Sequence, residues 1–118
     1  MNKRTLGTQK EEMVAEFLAK QGITILERNF ACKMGEIDLI CLDKGCLVFV
    51  EVKYRKNTSY GYPQEAVTKN KRRKIILVSG YYRMLKHYGD NIPMRFDVVS
   101  ILNNQISWDK NAFGYDDI

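Results

Sequence analysis

The sequence predicts an α/β domain in which a mixed β-sheet packs against two helices. Two observations carry this prediction: the order of the apolar segments, and a composition that is 45% apolar over 118 residues. A chain of this length has the size of one ordinary domain and can bury a hydrophobic core. We therefore expect residues 1–118 to form a single domain.

Periodicity and turn residues define the elements. Thr8 to Gln21 has the apolar spacing of a helix, and Gly22 follows it as a stop. A second helical period runs from Gln64 to Tyr88, after a loop from Arg55 to Pro63, and Gly89 ends it. The predicted strands are Ile23 to Asn29, Gly35 to Leu42, Cys46 to Tyr54, Met94 to Leu102 and Gln105 to Trp108. Three strands before the second helix and two after it predict a mixed sheet.

Charge suggests the class of partner. The chain has 19 Lys and Arg against 14 Asp and Glu, which gives a net charge of +5. The excess is concentrated in a short basic run that consists of Lys69, Lys71, Arg72, Arg73 and Lys74. A polyanion such as DNA is one candidate partner, whereas a solvated helix face is the alternative that charge alone favours.

The apolar content, the N-terminal residues and the cysteines of the chain indicate where in the cell the protein is located. No apolar run reaches 18 residues, and the N-terminal residues continue into charged ones instead of an apolar signal. We therefore expect a soluble, cytoplasmic protein that does not bind a membrane. The three cysteines lack CxxC spacing, so neither a disulfide framework nor a zinc site is indicated.

Four charged side chains interrupt the second and third predicted strands. Glu36 and Asp38 share one face of the second strand, as Glu51 and Lys53 do on the third. If Lys44-Gly45 is a two-residue hairpin loop, Asp38 faces Glu51 and Glu36 faces Lys53. A three-residue loop would shift this register by one. Opposed Cβ atoms lie roughly 4.5–5.5 Å apart, close enough for two carboxylates to bind one cation.

The opposed acids predict a bound cation. Like charges directly opposite each other destabilise a sheet, so a positive group is expected between Asp38 and Glu51. Mg²⁺ takes one or two carboxylates together with waters and phosphate oxygens, and Lys53 beside it could orient a water. This chemistry is phosphodiester hydrolysis. The alternative is an ion-pair ladder in which Lys53 neutralises Glu36 and Asp38 pairs with Arg55. Farther along the chain, Asp97 is also expected to pair with a basic residue.

Several sequence blocks resemble known proteins. Asp38 followed at a distance by Glu51-Val52-Lys53 resembles the PD-(D/E)XK signature of restriction-endonuclease-like nucleases, with Ile37 in place of proline. The blocks ERNF, GEIDLI, VFVEVKYR, GYPQEAV and RFDVV, in this order between Gly7 and Phe113, resemble the YraN-like family of small bacterial proteins. That family is related in fold to archaeal Holliday-junction resolvases. The resemblance implies a restriction-endonuclease-like α/β fold with a central mixed sheet flanked by helices.

The resemblance also implies roles for individual residues. Asp38 and Glu51 would be the metal ligands, Lys53 the catalytic lysine, and Glu11 the carboxylate that the first helix contributes. A helical wheel agrees with the last assignment, because it turns Glu11 and not Glu12 toward the packed side. The implied function is a Mg²⁺- or Mn²⁺-dependent DNA endonuclease, and resolvase-like relatives act as dimers on branched DNA. The expected DNA contacts are Arg55, Lys69, Lys71, Arg72, Arg73 and Lys74.

Two functions of other classes compete with this prediction. One is a nucleic-acid-binding module that has the nuclease fold but performs no chemistry. The other is an interaction protein in which the charged ladder is structural. Dependence of an activity on Mg²⁺ separates the first alternative from the nuclease, and salt-dependent DNA binding separates both from the second.

Overall fold

The computed structural model describes residues 6–55 and 67–115. The elements are α1 (Leu6–Lys20), β1 (Thr24–Cys32), β2 (Gly35–Asp43), β3 (Cys46–Arg55), α2 (Lys69–Leu85), β4 (Met94–Leu102) and β5 (Gln105–Phe113). They form an α/β arrangement with one five-stranded mixed sheet, so the predicted class is confirmed. Neither of these helices has the length and apolar character needed to cross a membrane.

The sheet places the strands in their chain order, from β1 to β5. Strand β2 is antiparallel to both β1 and β3, β3 and β4 are parallel, and β4 and β5 are antiparallel again. Two parallel neighbours need a long crossover, because the chain must return to the same edge of the sheet before it continues. The segment that contains α2 supplies this crossover between β3 and β4.

The two helices pack on opposite faces of the sheet. Val48 and Val50 of β3 belong to the core that α1 covers, whereas Leu47 and Phe49 belong to the core that α2 covers. Alternating side chains of one strand therefore enter two different cores, and both faces of the central strands are buried. This double burial explains why β3 is an almost continuous apolar run in which a charged residue is conspicuous.

The hairpin between β2 and β3 has the predicted two-residue loop. Lys44 and Gly45 both have positive φ, 50° and 84°, as a tight hairpin turn of the primed type requires. Asp43 pairs with Cys46, and the same register continues to Leu39 and Val50. The predicted loop length and register are confirmed over this part of the hairpin.

The second helix begins later than predicted. Thr68 is its N-cap, and the Thr68 hydroxyl accepts a hydrogen bond from the backbone N–H of Lys71 at 3.2 Å. The prediction that the helix already includes Val67 and Thr68 was therefore wrong, because this cap ends the helix at its N-terminal side. The predicted loop residues 56–63 and the predicted helix residues 64–66 lie outside the described residues.

Three other element ends differ from the prediction by three residues or more. Helix α2 stops at Leu85 and not at Tyr88, because His87 has a positive φ of 59°, which the helix cannot accommodate. Strand β1 continues past Asn29 to Cys32, and β5 continues past Trp108 to Phe113. These two strands form the edges of the sheet, where burial is incomplete and the apolar alternation that marks a strand is weak.

Candidate active site

Strands β2 and β3 separate where the charged residues begin. Their ladder ends at the pair of Leu39 and Val50, after which β3 pairs only with β4 in the described part of the chain. The prediction that Asp38 and Glu51 are an opposed pair of this ladder was therefore wrong. The same holds for the predicted pair of Glu36 and Lys53, which lies two residues farther along each strand. Instead, Asp38 Oδ2 accepts a hydrogen bond from the backbone N–H of Val52 at 2.8 Å. A carboxylate thus occupies the gap between the two strands.

Side-chain alternation fails on both sides of Asp38. Ile37 packs in the α2 core and Leu39 in the α1 core, although residues two apart in a regular strand share a face. In the neighbouring strand β1, Asn29 lies between the two residues that pair with Ile37 and Leu39, and it has a φ of 53°. Both strands therefore exchange faces at the same level of the sheet, and this exchange lets Asp38 leave the ladder.

Glu51 is a buried acid that lies against another acid. Its side chain is 5% exposed and lies on the α2 side of β3. The neighbouring Val50 and Val52 point to the α1 side. Burial, a hydrogen bond to Asp38 and the negative charge of Asp38 raise the pKa of Glu51 to about 8. Glu51 Oε2 accepts no hydrogen bond from the described residues. The site is therefore short of positive charge.

Two lysines partly compensate Glu51. Lys71 Nζ lies 3.5 Å from Glu51 Oε2, which makes an ion pair but not a well-formed hydrogen bond. Lys71 and Lys53 both lower the pKa of Glu51, but burial and Asp38 outweigh them. Lys53 is half-buried, and it forms no ion pair with Glu36 within the described part of the chain. The structure thus does not contain the Lys53–Glu36 pair on which the ladder alternative depends.

Glu11 brings a third carboxyl group to this place from α1. The pKa of Glu11 is raised, mainly by burial and to a smaller extent by the negative charge of Asp38. A hydrogen bond from the Asn29 side chain lowers it. Glu12, its neighbour on the helix, instead pairs with Arg28 of β1. The structure therefore brings Glu11 toward the site and turns Glu12 toward the edge strand, as the helical wheel predicted.

The donor set suits a hard divalent cation. Among residues 6–55 and 67–115, no three His, Cys, Asp or Glu side chains are grouped closely enough to hold a metal ion. The direct protein donors would therefore be the pair Asp38 and Glu51, with Glu11 on the side of Asp38. Mg²⁺ commonly takes only one or two carboxylates and completes its shell with waters and phosphate oxygens. The buried Glu51 oxygen that accepts no hydrogen bond and the repulsion by Asp38 that raises the Glu51 pKa both fit such an ion.

The basic run of α2 divides into an outer and an inner group. Lys69, Arg73 and Lys74 are exposed, so their charges face solvent. Arg72 is turned inward, since its Nε donates to the Val67 carbonyl at 3.1 Å and its guanidinium lies 5.7 Å from the centre of the Phe113 ring. The three outer charges are therefore the ones available to a phosphate backbone.

Lys71 is the second inner residue of the run, and its contact with Glu51 was missed from the sequence. The signal was present: Lys71 falls four and seven residues before Ile75 and Val78, on the buried stripe of the helix. Arg55, the remaining predicted DNA contact, is the last residue of β3.

The chain is similar to a group of bacterial proteins. The family described as uncharacterised protein family UPF0102 matches residues 10–101. A UPF0102 protein of Lachnoclostridium phytofermentans is 46% identical over 113 residues, which cover 96% of each chain. A UPF0102 protein of Fusobacterium nucleatum is 41% identical over 118 residues, 100% of this chain and 98% of the relative. Another of Clostridioides difficile is 42% identical, over 96% of this chain and 100% of the relative.

Proposed function

This chain belongs to the uncharacterised protein family UPF0102, the YraN-like family, and we propose that it is a metal-dependent DNA endonuclease with a restriction-endonuclease-like fold. The observation that carries the proposal is the contact of the buried Glu51 with the half-buried Asp38, two acids with little compensating charge. Burying such a pair costs stability, so its presence is best explained by a cation that binds there. The proposed cofactor is Mg²⁺ or Mn²⁺.

Each residue of the site has a distinct proposed role. Asp38 and Glu51 would hold the ion, and the Val52 N–H fixes the direction of the Asp38 carboxylate. When bound, the ion lowers the pKa of a water and offsets charge on the scissile phosphate. Lys53 follows Glu51 by two on β3, so it would orient that water and stabilise negative charge on the phosphate. Glu11 adds negative charge from α1 and strengthens the attraction for the cation.

The outer basic residues support DNA as the substrate. Lys69, Arg73 and Lys74 lie on α2, the same helix whose Lys71 contacts Glu51. A phosphate backbone bound along the start of this helix would therefore pass close to the carboxylate pair. Branched DNA as the preferred form, a homodimer, a cytoplasmic location and a single-domain chain stay predictions.

Cleavage assays with the purified protein test this function. Linear, flapped and four-way-junction DNA are incubated with the parent, with Lys53→Ala and with Lys44→Ala, each with and without Mn²⁺. Lys44 is exposed in the hairpin loop away from the site, so its variant is the matched control. We expect the parent and the control to cleave at least one substrate only with Mn²⁺. Lys53→Ala should cleave about 10²–10⁴-fold more slowly, because it lacks the ammonium that assists the water.

DNA affinity separates the competing interpretations. Lys53→Ala should bind DNA nearly as well as the parent, because the metal ligands and the outer basic residues are intact. An equal loss of binding and cleavage would instead make Lys53 a phosphate contact. A parent that binds DNA in a salt-dependent manner but never cleaves it would be a binding module, and one that does neither would be an interaction protein.

A further inference from the structure

Asn29 has an unusual backbone conformation for a residue inside a strand. Its φ is 53°, and it is the sixth residue of the nine-residue strand β1. A left-handed conformation costs energy for residues other than glycine, although Asn tolerates it better than most. Asn103 and Asn104 also have positive φ, but they form the turn between β4 and β5, where this conformation is expected, and Asn111, with a φ of 54°, lies where the pairing of β5 with β4 is irregular. Asn29 has no turn to explain its conformation.

The conformation of Asn29 redirects the residues on either side of it. Arg28 points to the α1 side and pairs with Glu12, whereas Phe30 points to the α2 side and packs edge-on against Tyr82, with ring centroids 5.0 Å apart. In a regular strand both residues would share a face. The side chains of β1 change faces at Asn29, directly opposite the position in β2, Asp38, where the side chains of that strand change faces. The two strands therefore stay paired across the change.

The side chain of Asn29 also reaches the site. It forms a hydrogen bond with the Glu11 carboxylate, in which the Asn29 amide group is the donor. Glu11 is on a different element, and the negative charge of Asp38 repels its carboxylate and raises its pKa. A neutral donor at this position therefore holds Glu11 near Asp38 without cancelling the negative charge that a cation would bind.

We propose that Asn29 is a positioning residue of the metal site. Its left-handed backbone accompanies the exchange of faces that frees Asp38 from the ladder, and its amide group holds the Glu11 carboxylate on the side of Asp38. This inference rests on the proposed metal site. Asn satisfies both requirements because it tolerates a positive φ and donates a hydrogen bond, whereas glycine meets the first requirement alone.

Calorimetric titration with Mn²⁺ in the absence of DNA tests the proposal, with Asn29→Gly as the decisive variant. Glycine adopts a positive φ freely, so this variant should melt within a few degrees of the parent in metal-free buffer. Its Mn²⁺ dissociation constant should rise about 10-fold, as is typical when a partner that orients a ligand is removed. Asn29→Ala should show the same loss of affinity and a lower melting temperature. Asn111→Gly, the same substitution at a residue of β5 that also has a positive φ, should leave both quantities unchanged.

The possible failures are distinguishable. If Asn29→Gly binds Mn²⁺ as tightly as the parent, the proposal for Asn29 is wrong and the metal site stands. If Asn29→Gly melts far below the parent, Asn29 is a structural residue and the positioning role is overturned. If the parent itself shows no binding of Mn²⁺, the metal site is wrong and the inference for Asn29 is overturned with it.

Discussion

Two buried acids on neighbouring strands of this sheet are treated in opposite ways. Asp97 of β4 is 0% exposed and Glu51 of β3 is 5% exposed, so both carboxyl groups have left water almost completely. Both oxygens of Asp97 lie within hydrogen-bond distance of Arg95 Nε, at 3.0 and 3.2 Å. Trp108 Nε1 and the backbone N–H of Asn111 each donate a further hydrogen bond to Asp97, both at 2.9 Å. The expected basic partner of Asp97 is thus confirmed as Arg95.

Glu51 has no comparable set of donors. One of its oxygens accepts no hydrogen bond from the described residues, its ion pair with Lys71 is 3.5 Å long, and its other close neighbour is the acid Asp38. The burial cost is similar at the two positions, but only Asp97 is compensated by the chain itself. The comparison indicates that Asp97 stabilises the fold, whereas Glu51 and Asp38 are suited to bind a positive group from outside.

The largest expected difference between the two acids is in stability. Asp97→Ala leaves Arg95, Trp108 and a backbone N–H without their buried acceptor and should lower the free energy of unfolding by about 3–5 kcal/mol. Glu51→Gln replaces an acid whose charged form is poorly compensated and should leave metal-free stability unchanged or raise it. Urea denaturation of both variants and the parent measures the difference. Equal destabilisation by the two substitutions would mean that Glu51 is as well compensated as Asp97, and the comparison would fail.

The second prediction uses the pH dependence of stability. The pKa of Glu51 is higher in the folded chain than in the unfolded chain, so the folded state binds more protons between these two values. Stability without metal should therefore fall as pH rises through the window that ends at about 8, by about 1.4 kcal/mol for each unit of the pKa difference.

Comparison with Glu51→Gln isolates this contribution from the other titrating groups. Below the unfolded pKa of a glutamic acid the carboxyl is protonated in both states, and the contribution is fully present there. Glu51→Gln should lack the decline, which denaturation at a series of pH values would measure. Parallel pH profiles for the parent and the variant would show that Glu51 titrates normally, and its burial beside Asp38 would then carry no uncompensated charge.

Local patterns predicted much of the fold. Lys44-Gly45 was identified correctly because a two-residue turn of this type needs positive φ at both positions, and the register then followed from the hairpin. The start of α2 was missed because the helical period continues through Val67, which packs in the core although it precedes the cap Thr68. Periodicity reports burial and does not report which backbone N–H group is capped.

The site was predicted less completely than the fold. The proximity of Asp38 and Glu51 was anticipated, but for the wrong reason, since strict alternation along β2 was assumed and the strand changes faces there. The change of faces coincides with Asn29 in β1, whose neighbours Arg28 and Phe30 contact α1 and α2, and such contacts cannot be deduced from one strand alone. The inward turn of Lys71 has a similar origin, because its partner is distant in sequence.

The third prediction concerns DNA binding by the outer basic residues. Arg73→Gln and Lys74→Gln should each reduce the slope of log affinity against log salt by about 0.9 on duplex DNA, because each removes one phosphate contact. Affinity for all sequences should fall alike. Filter binding at several salt concentrations gives the slopes, and Lys44→Gln serves as the exposed control in the hairpin loop. Unchanged slopes would mean that these residues of α2 form a solvated helix face and do not contact DNA.

Among these substitutions, Asp38→Asn is expected to change the metal-free stability least. It also gives the most direct test of the cation site. Asp38→Asn removes one charge but keeps an oxygen that can accept from the Val52 N–H. Thermal melts of the parent and this variant are recorded with and without millimolar Mn²⁺. Without metal, the variant should melt at the parent's temperature or slightly above it, because Asp38 and Glu51 repel each other when both are charged.

The response to Mn²⁺ in the same melts decides the central claim. Free Mn²⁺ at 100-fold above its dissociation constant should stabilise the parent by about 2.7 kcal/mol through mass action, and Asp38→Asn should lose most of this gain. We predict a parent that Mn²⁺ stabilises and a variant that it does not. A parent that is insensitive to Mn²⁺, together with a variant that melts at a lower temperature without metal, would contradict a cation site and make the acidic pair structural.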